Sequence, residues 1–299
     1  MLQNIKKFAN TSETLKEAKK NVKEMSLAKE IAVFIGLYAI TFFIPLILNG
    51  IIEVTLILSN QITDYTQILV ELYGVIFIPI TIYFIVTKIE KRSWRSVGFS
   101  KNNVVSSCLK GLFIGFLMFF VVVIIGFALG QYKYNGFDLS SAIFLIPFFF
   151  GFLIQSFGEE IHERGWILTF ISKRHNIIIA IILSSVFFSL GHLLNSGIDL
   201  LSLINIVLIG FFFAVLFLKY DNIWICGCAH TAWNFSQGII FGFNVSGTVT
   251  PSLLKFSQTS SNLIGGGEFG PESGLIATVV TVIALVIALY YTKNNENKI

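Results

Sequence analysis

Charge is what this sequence has least of. Asp, Glu, Lys and Arg make up 13% of its 299 residues, where an ordinary soluble domain has about a quarter. With 55% of residues in the hydrophobic set and a mean hydropathy of +0.78, a soluble globular chain is excluded. Three cysteines cannot build a disulfide framework. A net charge of +4 spread among loops offers no basic face, so no nucleic-acid partner is expected. The lysine-rich start is not followed by a short apolar region and a small-residue cleavage site, so it does not read as a signal peptide.

The chain has instead apolar runs of membrane length. At about 20 residues per spanning helix, eight spans use about 160 residues. Eight such runs fall at 31–52, 68–87, 104–129, 142–171, 177–194, 201–218, 223–243 and 274–291. The expected fold is therefore all-α and polytopic, with about eight transmembrane helices over 31–292, a polar segment over 1–30 and a tail over 293–299. In the first segment Leu15, Ala18, Val22 and Met25 recur at steps of three and four, which suits a helix on the membrane surface; a solvated tail is the alternative. Of the 21 basic residues, 18 fall in segments that share one side of such a topology and two, Lys133 and Lys255, on the other. That asymmetry predicts a multi-pass plasma-membrane protein with both termini in the cytoplasm. The segment 244–273, rich in Gly, Ser and Thr, reads as a flexible outer loop.

The remaining basic residue, Arg164, lies inside the fourth run, in Glu159-Glu160-Ile161-His162-Glu163-Arg164. A charge at the bilayer centre costs at least about 2.5 kcal/mol, so such residues persist mainly where they pair or do chemistry. Glu160 and Arg164, four apart, share a helix face and form the natural pair, with Glu159 about 100° around the helix. A solvated cytoplasmic loop is the competing reading of this segment alone. The fifth run carries Phe188-x-x-x-His192 and the seventh His230-x-x-x-Asn234. Each histidine taken singly is as well explained by interhelical hydrogen bonding. Counted at 1.5 Å per residue, Glu159 and His192 lie about 18 and 22 Å from the cytoplasmic helix ends, His230 and Asn234 about 10 and 16 Å. The three groups are therefore expected to line one cavity.

Two carboxylates, two histidines, a guanidinium and an amide in an apolar cavity suit water activation and oxyanion stabilisation. Glu159 acts as general base on a water shared with His192 while His230 and Asn234 donate to the oxyanion. Alternatively His192, His230 and Glu160 ligate Zn2+ and the second glutamate is the base. The sequence leaves both routes open.

Glu159-Glu160-x-x-x-Arg164, Phe188-x-x-x-His192 and His230-x-x-x-Asn234, in that order on separate apolar segments, resemble the CPBP family of CAAX proteases and bacteriocin-processing (Abi) membrane proteins. The resemblance covers about residues 142–243. It implies an intramembrane endopeptidase with its catalytic core in helices 4–7, catalytic Glu159, Glu160, Arg164, His192, His230 and Asn234, and either a metal-free or a zinc-dependent mechanism. One departure is that the position before the arginine is usually aromatic and here is Glu163, preceded by His162. The expected partners are the lipid bilayer and a membrane-associated or hydrophobic peptide substrate. Proton-coupled transport, bacteriocin immunity and a non-catalytic scaffold are the alternatives, and the absence of an inverted repeat counts against transport. Cys226 and Cys228, two apart, point to different helix faces and read as packing residues. His175 reads as a loop residue, and Glu71 and Asn195 as interhelical hydrogen-bonding or substrate-path residues.

Overall fold

The computed structural model describes residues 1–20, 22, 24–60 and 63–291; the expected tail over 293–299 lies outside the described residues. The elements are α1 Leu2–Thr11, α2 Glu13–Lys19, α3 Leu27–Leu58, α4 Asp64–Gly74, α5 Phe77–Phe84, α6 Val104–Ala128, β1 Tyr132–Phe137, α7 Leu145–Glu160, α8 Thr169–Ser172, α9 Ile177–Leu190, α10 Leu200–Tyr220, α11 Trp224–Phe235, β2 Leu254–Gln258 and α12 Leu275–Tyr290. Every one of the eight apolar runs is helical, and the chain is a polytopic all-α protein. Among the described residues, five helical stretches are long and apolar enough to cross a membrane: Leu27–Leu58, Tyr65–Ile89, Val104–Ala128, Leu139–Ser172 and Leu200–Tyr220. The fifth and eighth runs form the shorter apolar helices Ile177–Leu190 and Leu275–Tyr290. The seventh run is α11 extended by a π-helical turn, Ser236–Ile240.

Close backbone approach sets the central helix pair. Gly111 and Gly115, one turn apart on α6, lie against α11, and a Cβ on Gly115 would stand 1.9 Å from the Ala229 carbonyl oxygen. Small residues at this spacing let two apolar helices touch where lipid offers no hydrophobic incentive to associate. The contact fixes the depth and rotation of α11, and with them His230 and Asn234.

The N-terminal segment is folded rather than free. Ser12 separates α2, which carries the start of the expected stripe, from a preceding helix α1: it adopts an extended conformation and its hydroxyl accepts from the Leu15 amide at 3.1 Å. Ile5, Phe8, Leu15 and Ala18 are buried, whereas α2 ends before Val22 and Met25 join the stripe. Asp221, which follows α10, receives the Ser12 hydroxyl at 2.5 Å and the Thr14 amide at 3.0 Å, and also pairs with Arg95. Nearby, Glu90 takes Arg92 at 2.7 Å and Lys173 at 2.5 Å. Burial and the neighbouring Arg92 push the Lys173 ammonium down to about 8. Burial alone would raise the Glu90 carboxyl, but the two cations outweigh it and hold it below the ordinary carboxylate range. His175, expected in a solvated loop, meets Glu30 at 3.1 Å.

The segment 244–273 is ordered, contrary to the flexible loop expected of its composition. Its strand β2 pairs antiparallel with β1, with Tyr132 opposite Gln258 and Phe137 opposite Leu254. Its start is tied down by the Gln237 amide donating to the Asn244 carbonyl at 2.6 Å and the Gly247 amide to the Phe269 carbonyl at 2.8 Å. Composition signals turns here, but the backbone partners of β2 come from β1, far away in sequence.

Gly115→Leu is expected to force α6 off α11 and destabilise the fold by about 3 kcal/mol or more. Gly36→Leu, at a glycine with open space around it, is the matched control. Thermal unfolding in detergent checks the pair: a lowered midpoint for Gly115→Leu alone is the expected outcome.

Candidate active site

The fourth span carries its charges at a change of helix type. α7 ends at Glu160 and the chain continues as a π-helical stretch, Ile161–Leu168, before α8. Such widened turns recur at functional sites because they re-aim side chains without ending the helix. Here Glu160 and Arg164 are both fully buried and their side chains meet at 3.2 Å. The Arg164 guanidinium sits 4.5 Å from the Phe188 ring centre and 5.5 Å from that of Phe213, so aromatic faces supply much of its remaining contact. Gly210 leaves the room for it, since a Cβ there would stand 3.1 Å from Nη2.

Glu160 also reaches α11. Its Oε1 lies 3.1 Å from His230 Nδ1, and a carboxylate accepts, so Nδ1 carries the proton and Nε2 points away from Glu160. On that opposite side Glu159 Oε2 is 3.8 Å from Nε2. The ring itself stacks on Phe213 at 5.2 Å. Arg164, Glu160 and His230 thus form a chain that orients the imidazole toward Glu159.

His192 is positioned by a different device. The sequence placed it inside the fifth span, but α9 ends at Leu190 and His192 lies in the turn beyond it. Its own backbone N–H turns to the Ser189 carbonyl at 3.0 Å, which leaves the Phe188 carbonyl for the ring: Nδ1 is 2.8 Å from that oxygen. The imidazole therefore caps an orphan carbonyl at the helix end. Because a carbonyl only accepts, the proton is on Nδ1 and the Nε2 lone pair is free. The four-residue spacing of Phe188 and His192 is the spacing this cap requires.

Two cavities join these groups. One of about 130 Å³ is lined by Glu159, His192 and Asn234 together with Gln155, Asn195 and Ser246. A tighter one of about 50 Å³ is lined by His192, His230 and Asn234 with Gln155, Ser246 and Glu272. All six predicted side chains thus belong to one connected cluster, although Glu160 and Arg164 are sealed behind His230.

Sequence reasoning missed Gln155 and Glu272. The Gln155 amide donates to Glu159 Oε1, and its own oxygen accepts from Asn234 Nδ2 at 3.0 Å, which ties the carboxylate to the amide across the cavity. Its position four residues before Glu159, on the same helix face, was the available signal. Glu272 comes from the segment read as a loop; its Oε1 accepts from the Ser246 amide at 2.6 Å and hydroxyl at 3.0 Å. Burial pushes the Glu272 carboxyl above the ordinary range. Nothing local in the sequence marks it.

A zinc ion would need three converging donors. Among the described residues no group of three His, Cys, Asp or Glu side chains is arranged to hold a metal ion. Glu160 in particular lies on the Nδ1 side of His230, across the ring from the nitrogen that faces the cavity. The residues as placed do not fit a zinc centre, and no step below passes through one. Cys226 and Cys228 are buried free thiols in α11.

Inside the apolar helical body, two neighbouring small cavities that share His192 and Asn234 thus bring the Glu159 carboxylate and two imidazoles together. Residues 141–236, about a third of the chain, match the family of type II CAAX prenyl endopeptidase Rce1-like proteins, and this match spans all three motifs. The motif-bearing core is thus similar to type II CAAX prenyl endopeptidase Rce1-like proteins. Neither a curated protein nor a solved structure matches the chain.

A carboxyl whose folded pKa is raised contributes stability that is present below its unfolded value of 4.5 and lost as pH rises. Glu272→Gln keeps an acceptor for Ser246 and removes that loss. Its thermal midpoint is expected to exceed that of the unchanged protein at pH 8, and the gap to close near pH 4.

Proposed function

We propose that the protein hydrolyses a peptide bond in a membrane-associated or hydrophobic peptide substrate, from a site in the plasma membrane and with both termini cytoplasmic. The observation that carries this reading is the approach of His230 Nε2 to within 3.8 Å of Glu159 Oε2, at a cavity wall that also holds His192 and Asn234. The match to CAAX prenyl endopeptidase-like proteins supports it.

In this mechanism a water occupies the cavity between Glu159 and His192. Glu159 takes one of its protons while the free lone pair of His192 Nε2 accepts a hydrogen bond from the other, and the oxygen attacks the substrate carbonyl carbon. The electron pair of the C=O bond moves to the oxygen. His230, protonated on both nitrogens with Glu160 on Nδ1, donates Nε2–H to that oxyanion. Asn234 has two N–H donors; one is held by Gln155 and the second joins His230. Collapse of the intermediate breaks the C–N bond, and Glu159 returns its proton to the leaving amine. Arg164 contacts no reacting atom and acts as a positioning residue through Glu160 and His230.

The test uses protein in lipid nanodiscs and an internally quenched apolar peptide library. Glu159→Gln is expected to lower kcat by about 10²–10⁴-fold, and Asn234→Ala by about 10²–10³-fold. Unchanged cleavage in Glu159→Gln, His192→Ala and His230→Ala alike would sink the assignment. Glu160→Gln leaves Arg164 buried without its counter-charge, so loss of fold by about 3–5 kcal/mol is expected there, seen in the thermal midpoint before any assay.

A further inference from the structure

The hydrolytic cycle leaves the buried carboxylate of Glu163 unused. Glu163, which stands where the family places an aromatic residue, is 4% exposed. Its Oε1 is 2.9 Å from His162 Nδ1, and its Oε2 has no hydrogen-bond partner. On the far side of the imidazole, Nε2 is 2.9 Å from the Thr41 hydroxyl, which itself donates to the Tyr38 carbonyl at 2.8 Å. A hydroxyl has one proton, so if both contacts are hydrogen bonds Nε2 is the donor to Thr41. The Nδ1 to Oε1 contact then holds a second proton between the two residues. Every polar atom of the pair is answered except Glu163 Oε2. An unanswered buried acceptor is costly, and more so on a carboxylate, so the missing donor calls for an explanation.

Glu163 lines a groove of about 340 Å³ whose wall continues to Glu159 and His192. Glu71 stands on the same wall, and no Lys or Arg does. The rest is largely apolar, with Phe42, Pro45 and Leu46 contributed by α3. Three carboxylates in an apolar groove complement a cation carried on a hydrophobic chain. Glu159 and Glu163 lie four residues apart on one helix, about 6 Å along its axis, or about two residues of an extended peptide.

We infer that this groove binds the substrate segment next to the scissile bond and that Glu163 is a specificity residue, receiving a lysine or arginine side chain within about three residues of the cleavage point. The inference rests on the protease reading and adds to it a substrate class: apolar peptides with an embedded basic residue. His162 and Thr41 are positioning residues that hold the carboxylate at the groove wall.

The experiment is a lysine scan through a fluorescent apolar decapeptide, each member compared with its norleucine counterpart on the full-length protein in nanodiscs. Binding is followed by anisotropy and hydrolysis by chromatography of the same samples. At least one lysine peptide is expected to bind about tenfold more tightly than its counterpart, the worth of one charge-assisted hydrogen bond. Glu163→Gln, which keeps the side-chain volume, is expected to bring that ratio to about one. Acetylating the peptide lysine tests the same point on the unaltered protein and is expected to abolish the preference, whatever the variant's folding. Equal binding of lysine and norleucine peptides throughout, or a preference that survives Glu163→Gln or acetylation, overturns the inference. Hydrolysis without a lysine preference defeats it alone, whereas a lysine preference without hydrolysis of any peptide defeats the protease reading.

Discussion

The pair between Glu160 and Arg164 is the constraint on which the rest of the core depends, because both side chains are fully buried in a body whose surroundings are apolar. Burying two ions is costly, and three other helices supply their further contacts, although Glu160 Oε2 and Arg164 Nε and Nη2 have no hydrogen-bond partner. His230 of α11 donates to the carboxylate, while Phe188 of α9 and Phe213 of α10 sandwich the guanidinium. Each of those helices must sit at one depth and rotation for the charges to be tolerated. The ion pair therefore specifies an arrangement more than it stabilises one, and the arrangement is the one that aims His230 at Glu159.

The two histidines have Nδ1 fixed as a donor by separate routes. His230 is fixed by a carboxylate on another helix and His192 by a carbonyl on its own, and each presents Nε2 to the cavity. The difference matters for robustness. The orientation of His230 depends on tertiary packing, in which Gly111 and Gly115 bring α6 against α11. That of His192 depends on a single turn of helix and needs nothing beyond it. Gln155 then links the halves, holding Glu159 with its nitrogen and Asn234 with its oxygen.

Much of this was legible in the sequence because membrane helices are written in long apolar runs, and all eight runs are helical. The pairing of Glu160 with Arg164 followed from a four-residue step, and the gathering of three motifs followed from the expense of intramembrane charge. What the sequence did not show depends on partners distant along the chain. Glu272 enters the cavity from a segment whose Gly and Ser content reads as loop, and its order comes from β1 and from the π-helical turn that follows α11. The end of α9 at Leu190 was hidden because Leu193 and Leu194 extend the apolar run past the turn. The helix α1 was likewise invisible, since the stripe begins only at Leu15, while Asp221 holds the Ser12 junction in space.

The cap that His192 places on α9 couples local order to protonation state. While the last turn holds, the Phe188 carbonyl keeps the proton on Nδ1; if that turn frays, the carbonyl swings away and the ring is free to carry its proton on either nitrogen. A helix end opens far more readily than a helix body. The tautomer of His192 is thus set by one helical turn, and not by the ion pair behind it.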